Sequence, residues 1–101
     1  MDYLEISDPI KDISELEEGC YYLVRLPSLE PYLNPPPHKR VWRLGLLEKH
    51  LGRMCIFRVK LGGRGLIDAR YMTTCVSSPV DVRRIKDGDT LDEMVREFES
   101  F

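Results

Sequence analysis

The stretch from Arg53 to Leu61 alternates strictly: Cys55, Phe57, Val59 and Leu61 share one parity, and Met54, Ile56, Arg58 and Lys60 share the other. A period of two means an extended strand with two chemically distinct faces. Gly52 bounds it on one side and Gly62-Gly63-Arg64-Gly65 on the other, so the chain turns back at both ends. A strand reversed at both ends demands antiparallel neighbours, which sets the search for the rest of the fold.

Those neighbours are readable. Cys20-Tyr-Tyr-Leu-Val-Arg-Leu26 is dense in β-formers and ends at Pro27. Residues 39–47 place Trp42, Leu44 and Leu46 on one parity, and Lys39, Val41, Arg43 and Leu47 on the other. Residues 66–72 turn Ile67, Ala69 and Tyr71 inward. Residues 80–85 follow Pro79 with Val80 and Val82 inward. Leu46 to Leu51 fits a strand extension or a helical turn equally well. Thr73 to Ser78 fits a bulged continuation or a loop.

Two capping patterns flank this set. Ser14-Glu-Leu-Glu17 predicts one short N-terminal turn, ended by Gly19. Thr90-Leu-Asp-Glu93 precedes Leu91, Met94, Val95 and Phe98, the apolar stripe of an amphipathic helix over 91–99. Between the first two strands, residues 27–37 hold five prolines and predict an extended, semi-rigid loop.

The expected fold is one mainly β (α+β) domain over 1–101. Five antiparallel strands (about 20–26, 39–47, 53–61, 66–72 and 80–85) curl into an SH3-like barrel around Trp42, Phe57 and Tyr71, with the C-terminal helix docked. An OB-fold would place a helix where the glycine hairpin stands. An α+β sheet with the helix over one face is the other alternative.

The 101 residues suffice for one core without metal or disulfide. No apolar run approaches the ~20 residues of a membrane helix, and the start is acidic rather than a basic leader. These features predict a cytoplasmic, intracellular protein without membrane contact. Cys20, Cys55 and Cys75 are an odd set in apolar surroundings, expected as buried free thiols.

Chemistry-bearing motifs are weak. His38, His50 and the cysteines lack the close pairing of a structural zinc site, so no metal or cofactor is expected. Cys75 has no local cation or helix terminus to activate it, and no triad spacing supports catalysis. Gly62-Gly-Arg-Gly65 lacks the Lys-Ser/Thr of a phosphate loop and reads as a hairpin turn.

Charge is segregated. Residues 1–37 carry −6, residues 38–70 carry +7 and residues 71–101 carry −3, within a net −2. The acidic ends either neutralise the basic middle or leave it for an anionic partner. On the expected parities Lys39, Arg43, Arg58, Lys60 and Arg70 form one outward basic face, with Arg64 at the hairpin between two of these strands. Tyr32 and Leu33 in the proline-rich loop either anchor a partner or pack inward. Outward Met54 and Ile56, with Val41 and Leu47 beside them, need a cover: the helix, another protein or a second copy of the chain.

The expected function is a non-enzymatic protein-binding module, a small regulator or inhibitor acting by surface complementarity. Its candidate binding residues are Arg43, Arg58, Lys60, Arg64, Arg70 and Tyr32. The alternative is a nucleic-acid-binding barrel using the basic stretch 39–70, against which stands the lack of outward stacking aromatics beyond Tyr21.

Overall fold

The computed structural model describes residues 3–26, 41–61 and 70–99. The proline-rich loop 27–37, the hairpin 62–65, Tyr32, Lys39 and Arg64 lie outside them.

The domain is mainly β with one C-terminal helix. Its described residues contain six strands, β1 (Ser7–Pro9), β2 (Tyr21–Leu26), β3 (Val41–Leu51), β4 (Met54–Leu61), β5 (Arg70–Val76) and β6 (Val82–Ile85), followed by helix α1 (Gly88–Glu99). All pairings are antiparallel, in the order β1-β6-β2-β3-β4-β5. Among the described residues the sheet is not closed, and β1 and β5 are its two edges.

The expected five strands are therefore six. The extra one, β1, is a three-residue strand ending in proline, and it exists because of β6. Arg83 donates from Nε to Ser7 Oγ (2.8 Å) and from its terminal nitrogen to Ser7 O (2.8 Å), fastening β1 along the ladder. No local pattern announces a contact made across 76 residues of chain.

The sheet curls. In a flat sheet β5 and β6 would lie four strand spacings apart, roughly 19 Å. Residues 77–81 join them and include the 3-10 turn Pro79–Asp81, whose rise is only about 2 Å per residue. Curling brings Val76 of β5 into one cluster with Val82 of β6 and with Ile10 and Ile13 beyond β1. Arg25 ties the link down, meeting Asp81 at 2.7 Å, with both side chains about one-quarter exposed.

Both faces of the sheet are apolar. One holds Tyr22, Val24, Leu47, Cys55, Phe57, Val59 and Val82, closed by Ile10, Ile13 and Leu16. The other holds Leu23, Leu44 and Ile85 beneath Phe98 of α1, with Tyr21, Trp42, Leu46 and Tyr71 packed around them. The expected common core of Trp42, Phe57 and Tyr71 is thus divided. Phe57 lies on the interior face, while Trp42 and Tyr71 lie on the helix face. Alternation within each strand holds, but the second hydrophobic face reverses the meaning of inward for β3 and β5. Val80, expected inward, is 67% exposed within the 3-10 turn.

Gly45 permits close packing on the interior face. A Cβ there would stand 3.1 Å from Val24 Cγ2 and 3.2 Å from Phe57 Cδ1. Leu46 to Leu51 continues as strand, with a register shift between Leu47 and Lys49 that leaves Glu48 as the extra residue of a bulge. Gly52, at φ +60°, opens the two-residue turn between Leu51 and Met54. Thr73 to Val76 also continues as strand.

The two expected capping boxes are replaced by aspartates. Asp12 accepts from Ser14 N (3.0 Å) and caps a 3-10 turn, Ile13–Glu15. Asp87 accepts from the amides of Asp89 and Thr90 (both 3.3 Å) and from Thr90 Oγ1 (2.6 Å), so α1 begins at Gly88 rather than near Leu91. An aspartate one turn upstream accepts from several donors at once, and Thr90 then donates instead of capping.

Candidate binding surface

The residues expected to form one basic face do not share it. Arg43 pairs across β2–β3 with Val24, whose side chain is interior. Arg58 pairs with Leu46, which belongs to the helix face. Arg43 and Arg58 therefore sit on opposite faces. Arg70 stands opposite Leu61 in the ladder, and its side chain lies outside the described residues.

Arg58 and Lys60 are engaged within the fold. The Arg58 guanidinium lies 5.2 Å from the centroid of the Tyr71 ring and 3.6 Å from Glu48. Lys60 Nζ donates to Glu97 O at 2.8 Å, and Tyr71 Oη donates to Phe98 O. The last carbonyls of a helix have no partner inside it, and the dipole makes that end attractive to a cation. Lys60 and Tyr71 fasten the C-terminus of α1 to the sheet. Tyr21 Oη, 3.1 Å from Glu99 Oε1, adds a third tie. Burial first, and then this carboxylate, push the Tyr21 hydroxyl's pKa above its ordinary value.

Trp42 carries a similar cation on the same face, with Arg25 5.6 Å from its ring centroid. Trp42 and Tyr71, expected inward, are on this face capped by arginines, and Tyr21, the one aromatic expected outward, packs edge-on against Phe98 of the helix. Among the described residues no cluster of His, Cys, Asp and Glu could hold a metal ion. No helix among them is long and apolar enough to cross a membrane.

Of the three cysteines expected as buried, one is. Cys55 is fully buried, and burial pushes its thiol's pKa up. Cys20 is half-buried, but Cys75 is exposed. Exposure alone makes Cys75 open to alkylation, so rapid labelling of the native protein would not mark it as a catalytic thiol.

One candidate surface is the outer edge of β5. Among the described residues no strand pairs with it, and its seven residues contain no proline, lysine, aspartate or glutamate. Proteins commonly guard such edges with charge, proline, bulges or brevity. Cys75 and Thr73 stand opposite Ile56 and Arg58 on the helix face, and both are exposed. Beside them α1 leaves Met54 38% exposed. Leu47, expected in this outward patch, is instead buried opposite Phe57 on the interior face. The composition of 71–78 held the signal for this edge, an uncharged β-compatible run, but strand order was needed to place it there.

Comparison with protein-family models, curated proteins and solved structures found no match to this chain.

Proposed function

We propose that the chain is a non-enzymatic protein-binding module that receives an extended segment of a larger partner along the outer edge of β5. The supporting observation is that edge: seven residues long, uncharged apart from Arg70, and unpaired among the described residues. Added strands gain main-chain hydrogen bonds from an edge, and alternate side chains confer specificity. Exposed Thr73, Cys75 and Met54 supply the contact on the helix-side face. We read the curled, unclosed sheet as an SH3-like small barrel whose open seam admits the partner. Regulation or inhibition of the partner, in the cytoplasm, is the role such a module would serve.

The test is affinity capture with cross-linking, using wild-type protein and the Thr73→Lys/Cys75→Lys variant as baits. The expected result is a partner cross-linked to residues 70–76 and lost from the variant, whose circular dichroism stays unchanged. Equal capture by both baits, or cross-links confined to other strands, would defeat the reading.

The second reading, nucleic acid on the basic stretch, draws support from exposed Arg43, Lys49 and Arg53. It predicts DNA or RNA affinity that falls steeply with salt. Absence of any shift at ~50 mM salt removes it.

A further inference from the structure

A cleft of about 400 Å³ opens at the C-terminal end of β5. One wall is the segment after β1, with Lys11, Asp12 and Ser14. The opposite wall is the segment after β5, with Ser77 and Pro79, and Arg53 of the β3–β4 turn lies between. These segments follow the two edges of the unclosed sheet, and Ser77 directly follows the last residue of β5. The ladder explains the third contributor: Cys55 pairs with Val76, so the turn at Gly52-Arg53 falls just beyond the end of β5.

The charges in the cleft are unequal. Lys11 and Arg53 are exposed, and among the described residues neither has an ion pair or a side-chain hydrogen bond. Asp12 is the single acid in the lining, and its carboxylate is already occupied as acceptor for Ser14 N at 3.0 Å. Two uncommitted cations and two hydroxyl side chains line this open recess.

We infer that this cleft selects an acidic side chain on the extended segment that β5 receives. The inference rests on the β5-edge reading above. A strand laid antiparallel on β5 carries its N-terminal end past Val76, and each further residue advances about 3.3 Å. Its next residues therefore enter the cleft, where Arg53 offers a planar donor fork and Lys11 a point charge. Ser77 brings a hydroxyl that can donate to the carboxylate, while the Ser14 side chain bonds to Asp12. Main-chain pairing along β5 supplies affinity, and the cleft sets register by fixing where the acid stands.

Selection of random peptides displayed on phage against the full chain tests this, with enriched peptides titrated into labelled protein and followed by amide shifts. The expected peptides alternate β-branched residues and carry Asp or Glu at one fixed position near the N-terminal end. They shift residues 70–77 and bind the Lys11→Glu/Arg53→Glu variant about ten-fold or more weakly. Lys11→Gln/Arg53→Gln, which places no new charge, should give a smaller loss with an unchanged spectrum, guarding against misfolding. Enriched peptides that shift β5 but have no acidic position, or bind the variants equally, overturn the cleft's role and leave the edge reading intact. No enrichment, or shifts confined to other strands, overturns both.

Discussion

The two faces of the sheet are both apolar, yet they are covered in different ways. The interior face packs Phe57, Val59, Leu47 and Cys55 against Ile10, Ile13 and Leu16, with the Tyr22 ring edge-on to Phe57 at 6.3 Å. Nearly all of its contacts are hydrocarbon. The helix face is covered by Phe98 between Tyr21 (5.3 Å, edge-on) and Tyr71 (5.0 Å, tilted), and its cover is tied on by hydroxyls and an ammonium. Cations that suggest a docking surface in the sequence are, on this face, fastenings for a helix. A charged residue between apolar ones on a strand marks a wet face. Whether a partner or the chain's own helix covers that face depends on elements far away in sequence.

The sharpest way to break the comparison is Phe57→Ala. It should lower stability by about 3–5 kcal/mol, because a cavity in a hydrocarbon interior collapses poorly. The loss should be cooperative, with near- and far-ultraviolet dichroism melting together. Phe98→Ala should cost less, about 3 kcal/mol, and act differently. Amide exchange should show α1 opening before β2–β4, and simultaneous opening would show that the two faces form one unit.

Gly45→Ala probes the interior face by overpacking. A Cβ 3.1 Å from Val24 and 3.2 Å from Phe57 forces both to move. The expected penalty is about 1–3 kcal/mol by denaturant titration, and a neutral result would mean that the face has slack. Tyr71→Phe removes only the hydroxyl bond to the helix terminus, with an expected loss of about 1 kcal/mol. Exchange should rise in the last turn of α1 and remain unchanged in β4.

The smallest effect concerns the other end of the helix. Hydrogen bonds from Thr90 and the amide of Asp89 hold the Asp87 carboxyl below its ordinary pKa of 3.8. A depressed carboxyl stabilises the folded state above its unfolded pKa, and that contribution is lost as pH falls through the folded value. The gap in melting temperature between wild type and Asp87→Ala should be full at neutral pH and shrink below about pH 4. A gap independent of pH would show that charge has no part in the cap.

Legibility from sequence followed the range of the interactions. The parity of β4 was readable because Cys55, Phe57 and Val59 alternate with Arg58 and Lys60 inside a single strand. The helix was readable because Leu91, Met94, Val95 and Phe98 repeat at its own period. Which face Trp42 and Tyr71 occupy was not readable: alternation groups residues without naming the side, and here both sides are hydrophobic. β1 escaped because Pro9 and Asp8 argue against a strand until Arg83 is in place. The candidate edge escaped because being an edge is a property of strand order, and no residue of β5 states it alone.

The pairing of β1 with β6 also constrains the order in which the molecule can assemble. Ser7 meets Ile85 in the ladder, whereas β2, β3 and β4 each pair with their immediate successor. Contacts between sequence neighbours close small loops and form early, while distant ones must wait for their entropy cost to be offset. The meander should therefore form first, β6 should dock on β2 next, and the acidic N-terminal segment should be the last strand seated. During synthesis that segment emerges well before the strand it pairs with, so Ser7 and the Ile10–Ile13 plug remain exposed until Arg83 has left the ribosome.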